Sequence, residues 1–559
     1  MMRAHDKERG DMKYNNHQPG LRRPRRLLRM SAAFGAAAAI LLTGATAQAA
    51  VSGGYYSDTH QPDLVALLDG FTRFYRPGAT YDLKNPSTFG RGTVANADVL
   101  RHNDESTLAI NQAGAAGGDG RTPTAQQKRA LVDSDYKMSE TLPDALGPVL
   151  GGYFSQGLRN GSLPKTAELL TRTDPGTGWG DSLLADYLST TTAKITFNHP
   201  RPYVDRTDAG YPAAGLSTTL PIAKAPVWTD DNAITHNPSY DAMLTSGSFP
   251  SGHTTYAYSG AVGLATLLPQ LGTEIVTRGS EAGNNRIVLG VHYSLDIMGG
   301  RIDGEAADTA RWSDAAFRSD KLMPAYDELQ AYMARQCVDN GNTVKQDNDF
   351  DTVQSCVSRL GANADKGYTN SFTDAVSIRP VTDRQSAIAA YTARLSYGFS
   401  QDSRQAGLAP VVPEGAQNLL LTAFPTLTDA ERTQVLAASE IDSGYPLDDT
   451  SQGYQRLNLA KAYSAKVTLS SDASRVVKVE PGQSEASVVR EGSANGAGGA
   501  NNTNNTNGEP SASPAPAAAS APRTPLAETG SGALMLLAVS VALVGAGGIA
   551  LWAVRRRRS

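Results

Sequence analysis

Hydrophobic residues recur every three to four positions over much of the chain between residues 50 and 485, the spacing that buries one face of an α-helix. This pattern predicts helices over residues 62–75, 124–137, 142–157, 181–193, 254–268, 294–311, 324–335, 386–396, 416–422, 429–439 and 454–466. Alternation with a period of two is clearest over 465–469 and 476–479, which we predict as strands. The pattern therefore predicts a mainly α fold.

A long stretch without periodicity runs from Pro200 to Phe249 and is rich in Pro, Gly and Asp. Long irregular segments inside compact domains are usually functional, so we predict an ordered loop that covers a site. Farther along the chain, residues 382–466 contain several of the predicted helices. The sequence leaves open whether this region is an accessory domain or packs onto the first helices.

The first 49 residues have the features of an export signal. Arginines within residues 22–29 precede an apolar run over 32–42, and Ala-Gln-Ala at 47–49 fits a cleavage site. A bilayer span needs about 20 apolar residues, so a cleaved signal peptide over 1–49 is favoured over an N-terminal membrane anchor. The paired arginines match the twin-arginine motif only in part, and the choice between that route and the Sec route stays open.

The C-terminal part has three segments in order. Residues 486–525 form a tract of Gly, Asn, Ala, Pro and Ser. Such a tract buries too little apolar surface to offset chain entropy, so we predict a disordered spacer. The pentapeptide that follows resembles the LAxTG sortase recognition signal of Gram-positive bacteria, and its fixed positions are Leu526, Thr529 and Gly530. An apolar stretch over 533–554, long enough to span a bilayer, and a basic tail complete the chain.

By this resemblance, residues 526–559 are a sorting signal, and sortase cuts between Thr529 and Gly530 and joins the chain to peptidoglycan. A plain single-span membrane anchor is the alternative. The two ends together predict a secreted protein, processed by signal peptidase and sortase and covalently attached to the cell wall of a Gram-positive bacterium.

Residues 50–485 remain after these segments are set aside, and they are long enough for one large domain or two ordinary ones. The formal net charge of −4 and the lack of a basic stripe with interleaved aromatic residues argue against nucleic acid as a partner. Cys337 and Cys356 are the two cysteines of the chain. An even pair in an exported protein predicts a disulfide between them.

Three short clusters concentrate cations and histidines. The first contains Lys194 and Arg201, the second is the octapeptide GSFPSGHT at 247–254, and the third contains Arg286, His292 and Asp296. The three cations can hold phosphate oxygens, the two guanidinium groups in a bidentate manner. Together they favour a site for a phosphate ester.

The octapeptide and the third cluster supply the rest of a phosphate-transfer site. An apolar helix is predicted to begin after Ser251. The N–H groups of Gly252 and His253 at its start, together with the helix dipole, favour an anion. His253 and His292 can divide the nucleophilic and acid–base work. Asp296 lies one turn after His292 and can accept a bond from one ring nitrogen, which leaves the other free to attack. Taken singly, Ser251 also fits a plain helix cap, and His292 with Asp296 a structural pair.

In combination, these residues resemble the type 2 phosphatidic acid phosphatase superfamily, with its K-x6-RP, PSGH and SR-x5-H-x3-D motifs. One position departs from the pattern, because Asn285 stands where the family has Ser. The octapeptide nearly repeats the class A bacterial acid phosphatase signature GSYPSGHT, with Phe249 in place of Tyr. The resemblance covers residues 194–296 and implies the helical-bundle fold of acid phosphatases and vanadium haloperoxidases.

The resemblance also implies a double displacement. His292, oriented by Asp296, would be the nucleophile that forms a phosphohistidine, and His253 would be the general acid and base. The implied phosphate-binding residues are Lys194, Arg201, Ser251, Gly252 and Arg286. No metal or cofactor is implied, and vanadate is expected to act as an inhibitor.

Several functions share these motifs. A metal-independent acid phosphatase acting on phosphomonoesters is favoured by the octapeptide and by the lack of apolar spans within 50–485. A lipid phosphate phosphatase is one alternative, although such enzymes usually carry several membrane spans. A vanadium-dependent haloperoxidase, with vanadate as its cofactor, is another, and a wall adhesin with vestigial motifs is the non-enzymatic alternative.

Overall fold

The computed structural model describes residues 54–135, 137–171, 182–185, 187–360, 367–377, 379–448 and 452–492. The predicted signal peptide, the sorting signal and nearly all of the predicted spacer lie outside the described residues. Within them, no helix is both long and apolar enough to cross a bilayer.

Helices dominate the described part of the chain, which confirms the predicted mainly α fold. Those of seven or more residues are α1 (Ala97–Ala115), α2 (Ala125–Asp133), α3 (Gly147–Arg159), α4 (Pro164–Leu170), α5 (Thr191–Phe197), α6 (Gly252–Leu267), α7 (Gly272–Val288), α8 (Ser294–Ser313), α9 (Met323–Asp339), α10 (Asp349–Leu360), α11 (Arg384–Ser396) and α12 (Asp429–Ser439). Shorter helical turns include Leu64–Leu67, Asp69–Arg73, Leu142–Leu146, Ala416–Leu420, Tyr454–Arg456 and Leu459–Ala462.

Helices α6 and α8 pack closely because α8 presents glycines to α6. A Cβ atom at Gly300 would lie 2.5 Å from the carbonyl oxygen of Ser251, and one at Gly304 would lie 2.7 Å from that of Thr255. Real side-chain atoms do not approach a carbonyl oxygen that closely, so only glycine allows this spacing. The contact brings the start of α6 next to the start of α8, where the second and third clusters lie.

Helix α7 is buried along its whole length. Buried charges need partners, and three charged residues of α7 form ion pairs with other segments. Arg278 pairs with Asp133 and Asp144, Glu281 with Arg129, and Glu274 with Arg384. Because α7 has few large apolar residues and is covered on every side, its burial does not follow from the apolar positions by which helices are predicted.

The strands are short. β1 (Tyr75–Pro77) pairs with β2 (Gly92–Val94), and β3 (Trp228–Thr229) pairs with β4 (Thr235–His236) inside the loop predicted over Pro200 to Phe249. A three-stranded sheet has the order β6-β5-β7, with β5 (Lys466–Leu469), β6 (Val476–Glu480) and β7 (Ser487–Arg490). The strands predicted over 465–469 and 476–479 are confirmed. The predicted start of the spacer at 486 is wrong, because the β-branched pair at 488–489 lets β7 extend the sheet in parallel with β5.

Three helix predictions are wrong in part. Residues 62–75 form two short helical turns, which meet at Leu68, and the start of β1. Within 181–193 the described residues are irregular up to Thr190, because the hydroxyls of Ser182 and Ser189 bond to nearby backbone N–H groups and favour turns. Residues 454–466 are divided where the Asn458 side chain caps a new short helix.

Four helices were not predicted, namely α1, α4, α7 and α10, and α5 overlaps its prediction over 191–193 only. Two predicted helices begin or remain as tight turns, at 142–146 and 416–420. The remaining predictions agree with α2, α6, α8, α9, α11 and α12 to within a few residues.

Region 382–466 shares the core of the preceding helices. Tyr391 and Leu395 of α11 and Leu436 of α12 belong to the same buried hydrophobic cluster as Val262 of α6. Arg394 of α11 also donates to the carbonyl of Thr277 in α7. The region therefore packs onto the first helices.

The predicted disulfide is present. Cys337 of α9 and Cys356 of α10 are joined, with Cα atoms 6.1 Å apart and a sequence separation of 19 residues. Closing a loop of this size stabilises the fold by about 3 kcal/mol in the chain-entropy model.

Candidate active site

The fold brings the three clusters together through bonds between their backbones and side chains. The backbone N–H of Ser251 donates to the carbonyl of Asp296 over 3.0 Å, which joins the second cluster to the third. The Arg201 guanidinium donates to the carbonyl of Val291 over 2.9 Å, which joins the first to the third. These bonds fix the relative positions of residues that are far apart in sequence.

His292 is buried between an acceptor and a donor. Its Nδ1 lies 3.1 Å from Oδ2 of Asp296, and its Nε2 lies 3.1 Å from Nη1 of Arg201. Arginine can only donate, so Nε2 must accept and Nδ1 must carry the hydrogen. The surroundings therefore select the neutral tautomer whose lone pair lies on Nε2, the form in which a histidine can act as a nucleophile.

Both carboxylate oxygens of Asp296 accept further hydrogen bonds, which hold the carboxylate in place beside Nδ1 of His292. Oδ2 also accepts the backbone N–H of Tyr293 over 2.9 Å, and Oδ1 accepts the hydroxyl of Ser248 over 3.4 Å. Burial raises the pKa of Asp296 to about 7, while the Tyr293 N–H and nearby cations lower it. Since His292 and Asp296 share one hydrogen, a further proton belongs to the pair rather than to either residue.

His253 is oriented by a backbone carbonyl. Its Nε2 lies 3.1 Å from the carbonyl oxygen of Ser134, at the end of α2. A carbonyl only accepts, so Nε2 keeps its hydrogen and Nδ1 is the nitrogen that can take up and release a proton. This geometry suits a general acid and base.

The same three cations act on both histidines. Burial lowers the pKa of His253 well below its usual range, and the charges of Arg286, Arg201 and Lys194 lower it further. Burial and these three charges also lower the pKa of His292. The structure therefore brings the three predicted phosphate-binding cations into one electrostatic environment with both histidines.

The side chain of Lys194 is already engaged. Its Nζ donates to the carbonyls of Gly247 and Ser248, over 3.1 and 3.2 Å, and to the carbonyl of Pro250. An ammonium group has three hydrogens, so these bonds occupy all of them. In this arrangement Lys194 contributes its charge to the site and holds the octapeptide in place.

The residues of the predicted anion site lie at the start of α6. Ser251 caps the helix, and its Oγ accepts the backbone N–H of Thr254. Gly252 is the first residue of α6, and the N–H groups of a first helical turn have no carbonyl of their own helix to bind. Such groups, with the helix dipole, favour an anion.

Asn285, the departure from the family pattern, is turned towards α2. Its Nδ2 donates to Oδ2 of Asp133 over 2.7 Å. Asp133 also accepts two bonds from Arg278. Asn285 thus links the helix that carries Arg286 to the segment that holds His253.

Sequence reasoning missed several residues that support the site. His199 bonds to Ser248 Oγ through Nδ1 over 2.8 Å, and to the hydroxyl of Tyr211 through Nε2 over 2.9 Å. Ser248 lies inside the octapeptide, which was the available signal for its role. Ser134 offered no signal, because it acts through a carbonyl that any residue would supply.

The fold and the site together define a mainly α protein with an acid phosphatase-like fold. Its candidate site contains two histidines and three cations. Residues 180–318 match the model of the PAP2 superfamily, a range that contains all three clusters. The match supports this superfamily for the domain that carries the site.

Among curated proteins, the chain is similar to acid phosphatases of bacteria. It is 27% identical over 258 residues to an acid phosphatase of Zymomonas mobilis, which covers 46% of this chain and 81% of that protein. It is 25% identical over 220 residues to a non-specific acid phosphatase of Salmonella typhimurium, covering 39% of this chain and 70% of the relative. A non-specific acid phosphatase of Providencia stuartii is 33% identical over 89 residues, 16% of this chain and 36% of the relative. These similarities support a phosphatase activity.

Proposed function

We propose that the protein is an acid phosphatase that hydrolyses phosphomonoesters through a phosphohistidine intermediate, without a metal ion. The observation that carries this proposal is the placement of His292 between Asp296 and Arg201, which leaves a lone pair on Nε2. Its support is the convergence of three cations on both histidines.

In the first step, Nε2 of His292 attacks phosphorus and the bond from phosphorus to the ester oxygen breaks. The departing oxygen takes the proton from Nδ1 of His253. In the structure the Nε2 lone pair accepts a hydrogen bond from Nη1 of Arg201, so the guanidinium must give up this bond and donate to a phosphoryl oxygen as Nε2 attacks. Arg286 and the start of α6 offset the remaining negative charge.

In the second step, water attacks the phosphorus of the phosphohistidine. His253 takes a proton from the water, and the electron pair of the bond between nitrogen and phosphorus returns to Nε2 of His292. Phosphate leaves and the starting state is restored. The fixed charges of Lys194, Arg201 and Arg286 perform the charge compensation that a metal ion provides in other phosphatases.

Hydrolysis of an aryl phosphate by the purified exported domain is expected to persist in excess EDTA and to be blocked by micromolar to millimolar vanadate. Vanadate resembles the five-coordinate transition state and would occupy the same cationic pocket. Phosphate release is measured with and without chelator, and after vanadate is removed by dialysis as the control.

A chelated enzyme that regains activity only with added divalent metal would reject the proposed charge compensation. Oxidation of bromide in vanadate and peroxide, faster than phosphate release, would instead assign the pocket to a vanadium-dependent haloperoxidase. Release from phosphatidic acid in micelles but not from soluble esters would assign it to a lipid phosphate phosphatase.

We also propose that the enzyme acts outside the cell, attached to peptidoglycan. This proposal is supported by the export features of residues 1–49 and by the sorting signal over 526–559. The disulfide between Cys337 and Cys356 agrees with an oxidising location.

Mass spectrometry of digested cell walls is expected to find a peptide that ends at Thr529 and is bonded to a peptidoglycan fragment, because sortase cuts between Thr529 and Gly530. The Thr529→Ala variant is the control, and it should leave the wall fraction. Recovery of residues 530–559 from most of the mature wild-type protein would contradict wall attachment.

A further inference from the structure

Three consecutive residues at the end of α2, Asp133, Ser134 and Asp135, each bond to a different part of the fold. We call residues 133–135 the α2 clamp. Asp133 is fixed to α7, because it accepts bonds from Asn285 and Arg278. One end of the clamp is therefore held by a buried ion pair on a fully buried helix.

The middle of the clamp holds His253. The Ser134 carbonyl accepts the hydrogen on Nε2 of His253 over 3.1 Å. This bond orients the ring and favours its protonated form. The Ser134 side chain does not set the position of this carbonyl. Its position depends on how the neighbouring residues Asp133 and Asp135 are held.

The other end of the clamp is held by the loop over the site. Nδ1 of His236, in β4, lies 2.7 Å from Oδ2 of Asp135, and its Nε2 lies 3.7 Å from Oδ2 of Asp230. His236 is almost fully buried, and its ring stacks on Trp228 with centroids 5.0 Å apart. The bond thus ties the hairpin of β3 and β4 to the residue next to Ser134.

We propose that His236, through its bond to Asp135, is a positioning residue that sets the Ser134 carbonyl and thereby the general acid and base His253. The inference rests on the proposed function, since it assigns a partner to the acid–base step of that reaction. His236 itself does not touch the reacting atoms.

The charges around His253 explain why its position matters. Burial and the charges of Arg286, Arg201 and Lys194 all disfavour a proton on His253, while the Ser134 carbonyl raises its pKa. The charge of His253 in turn lowers the pKa of His292. If the clamp loosens, the opposing bond weakens and His253 loses its proton at a lower pH.

The test compares two substrates in two variants that break the bond from opposite sides, His236→Ala and Asp135→Ala. An alkyl phosphate needs a protonated His253 to expel its leaving group, whereas an aryl phosphate with a good leaving group needs it little. We expect kcat for the alkyl phosphate to fall about tenfold more than kcat for the aryl phosphate, a part of the ~10²–10⁴-fold that acid–base catalysis contributes. The alkaline limb of the alkyl rate profile should move to lower pH.

His236→Asn should restore most of the alkyl rate, because its amide can donate to Asp135 from near the position of Nδ1. Thr235→Val is the matched control in the same strand, since Thr235 bonds to Thr229 across the hairpin and not to the clamp. Asp135→Ala leaves both rings of the stack between His236 and Trp228 in place. A loss of rate in this variant is therefore assigned to a loosened clamp and not to unfolding of the hairpin.

Equal losses for both substrates in His236→Ala and Asp135→Ala, with an unmoved pH profile, would overturn the positioning role while leaving the proposed function standing. Absence of phosphate release from the wild-type enzyme would instead be a failure of the proposed function itself.

Discussion

Replacing His292 with alanine is expected to abolish the covalent intermediate and nearly all turnover. The lone pair on Nε2 of His292, held between Asp296 and Arg201, is the nucleophile of the proposed reaction. Removing a nucleophile from a set of groups that act as a unit lowers kcat by on the order of 10⁴–10⁶-fold. The loss should be the same for aryl and alkyl phosphates, because both need the attack on phosphorus.

The measurement is rapid-quench trapping of a phosphoenzyme that is stable in base and labile in acid, as a phosphohistidine is. His102→Ala is a matched control, because the Nε2 of His102 also bonds to a backbone carbonyl, that of Tyr397 over 3.0 Å. His102 lies on α1, outside the three clusters, so this variant should keep its phosphoenzyme. Trapping a phosphoenzyme in His292→Ala, but never in wild type, would contradict the assigned nucleophile.

Replacing His253 with alanine is expected to separate the two substrate types. Without its general acid the enzyme should lose about 10²–10⁴-fold in kcat with an alkyl phosphate. Phosphoenzyme formation from an aryl phosphate should be largely spared, since an aryl oxide leaves without help. The trapped phosphoenzyme should then accumulate, because His253 also activates the water that releases phosphate.

The pH dependence of the wild-type rate tests the same roles of His253 and His292. Leaving-group expulsion requires a protonated His253, and burial with the nearby cations lowers the pKa of His253. Activity should therefore fall as the pH rises through a value below the usual pKa of histidine, and the maximum should lie on the acidic side. The acid limb reports the His292–Asp296 pair, which must lose its extra proton before Nε2 can attack.

In His253→Ala the alkaline limb set by this residue should disappear from the residual rate with the alkyl substrate. Retention of the limb, or an equal loss with both substrates, would contradict the role of His253 as the general acid. A phosphoenzyme that forms only when His253 is present would indicate that the two histidines have exchanged roles.

The chemistry-bearing residues could be predicted because the reaction fixes their type and local spacing. Asp296 follows His292 by four positions, and the pair forms the predicted bond of 3.1 Å, although His292 lies two residues before the start of α8 and not on its helical face. Ser251 and Gly252 could likewise be placed at a helix start, since a cap followed by an apolar run predicts one. Local geometry of this kind is contained in a few consecutive residues.

Helices α1 and α7 could not be predicted by the same reasoning. Their buried faces are polar, with Asn103 and Asp104 in α1 and Arg278 and Glu281 in α7. Such residues can be buried only because partners from distant parts of the chain satisfy them, as Asp133 does for Arg278. A pattern that counts apolar positions has no access to these partners.

The sequence predicted the three clusters, the mainly α character, the disulfide and an ordered loop between Pro200 and Phe249. Only the tertiary structure shows which nitrogen of each histidine carries its hydrogen. It also shows that Nζ of Lys194 donates its hydrogens to the octapeptide and that Asn285 turns to Asp133. The physical reason is that these features depend on contacts between distant segments. Several of them, such as the carbonyl of Ser134, involve backbone groups that carry no sequence identity.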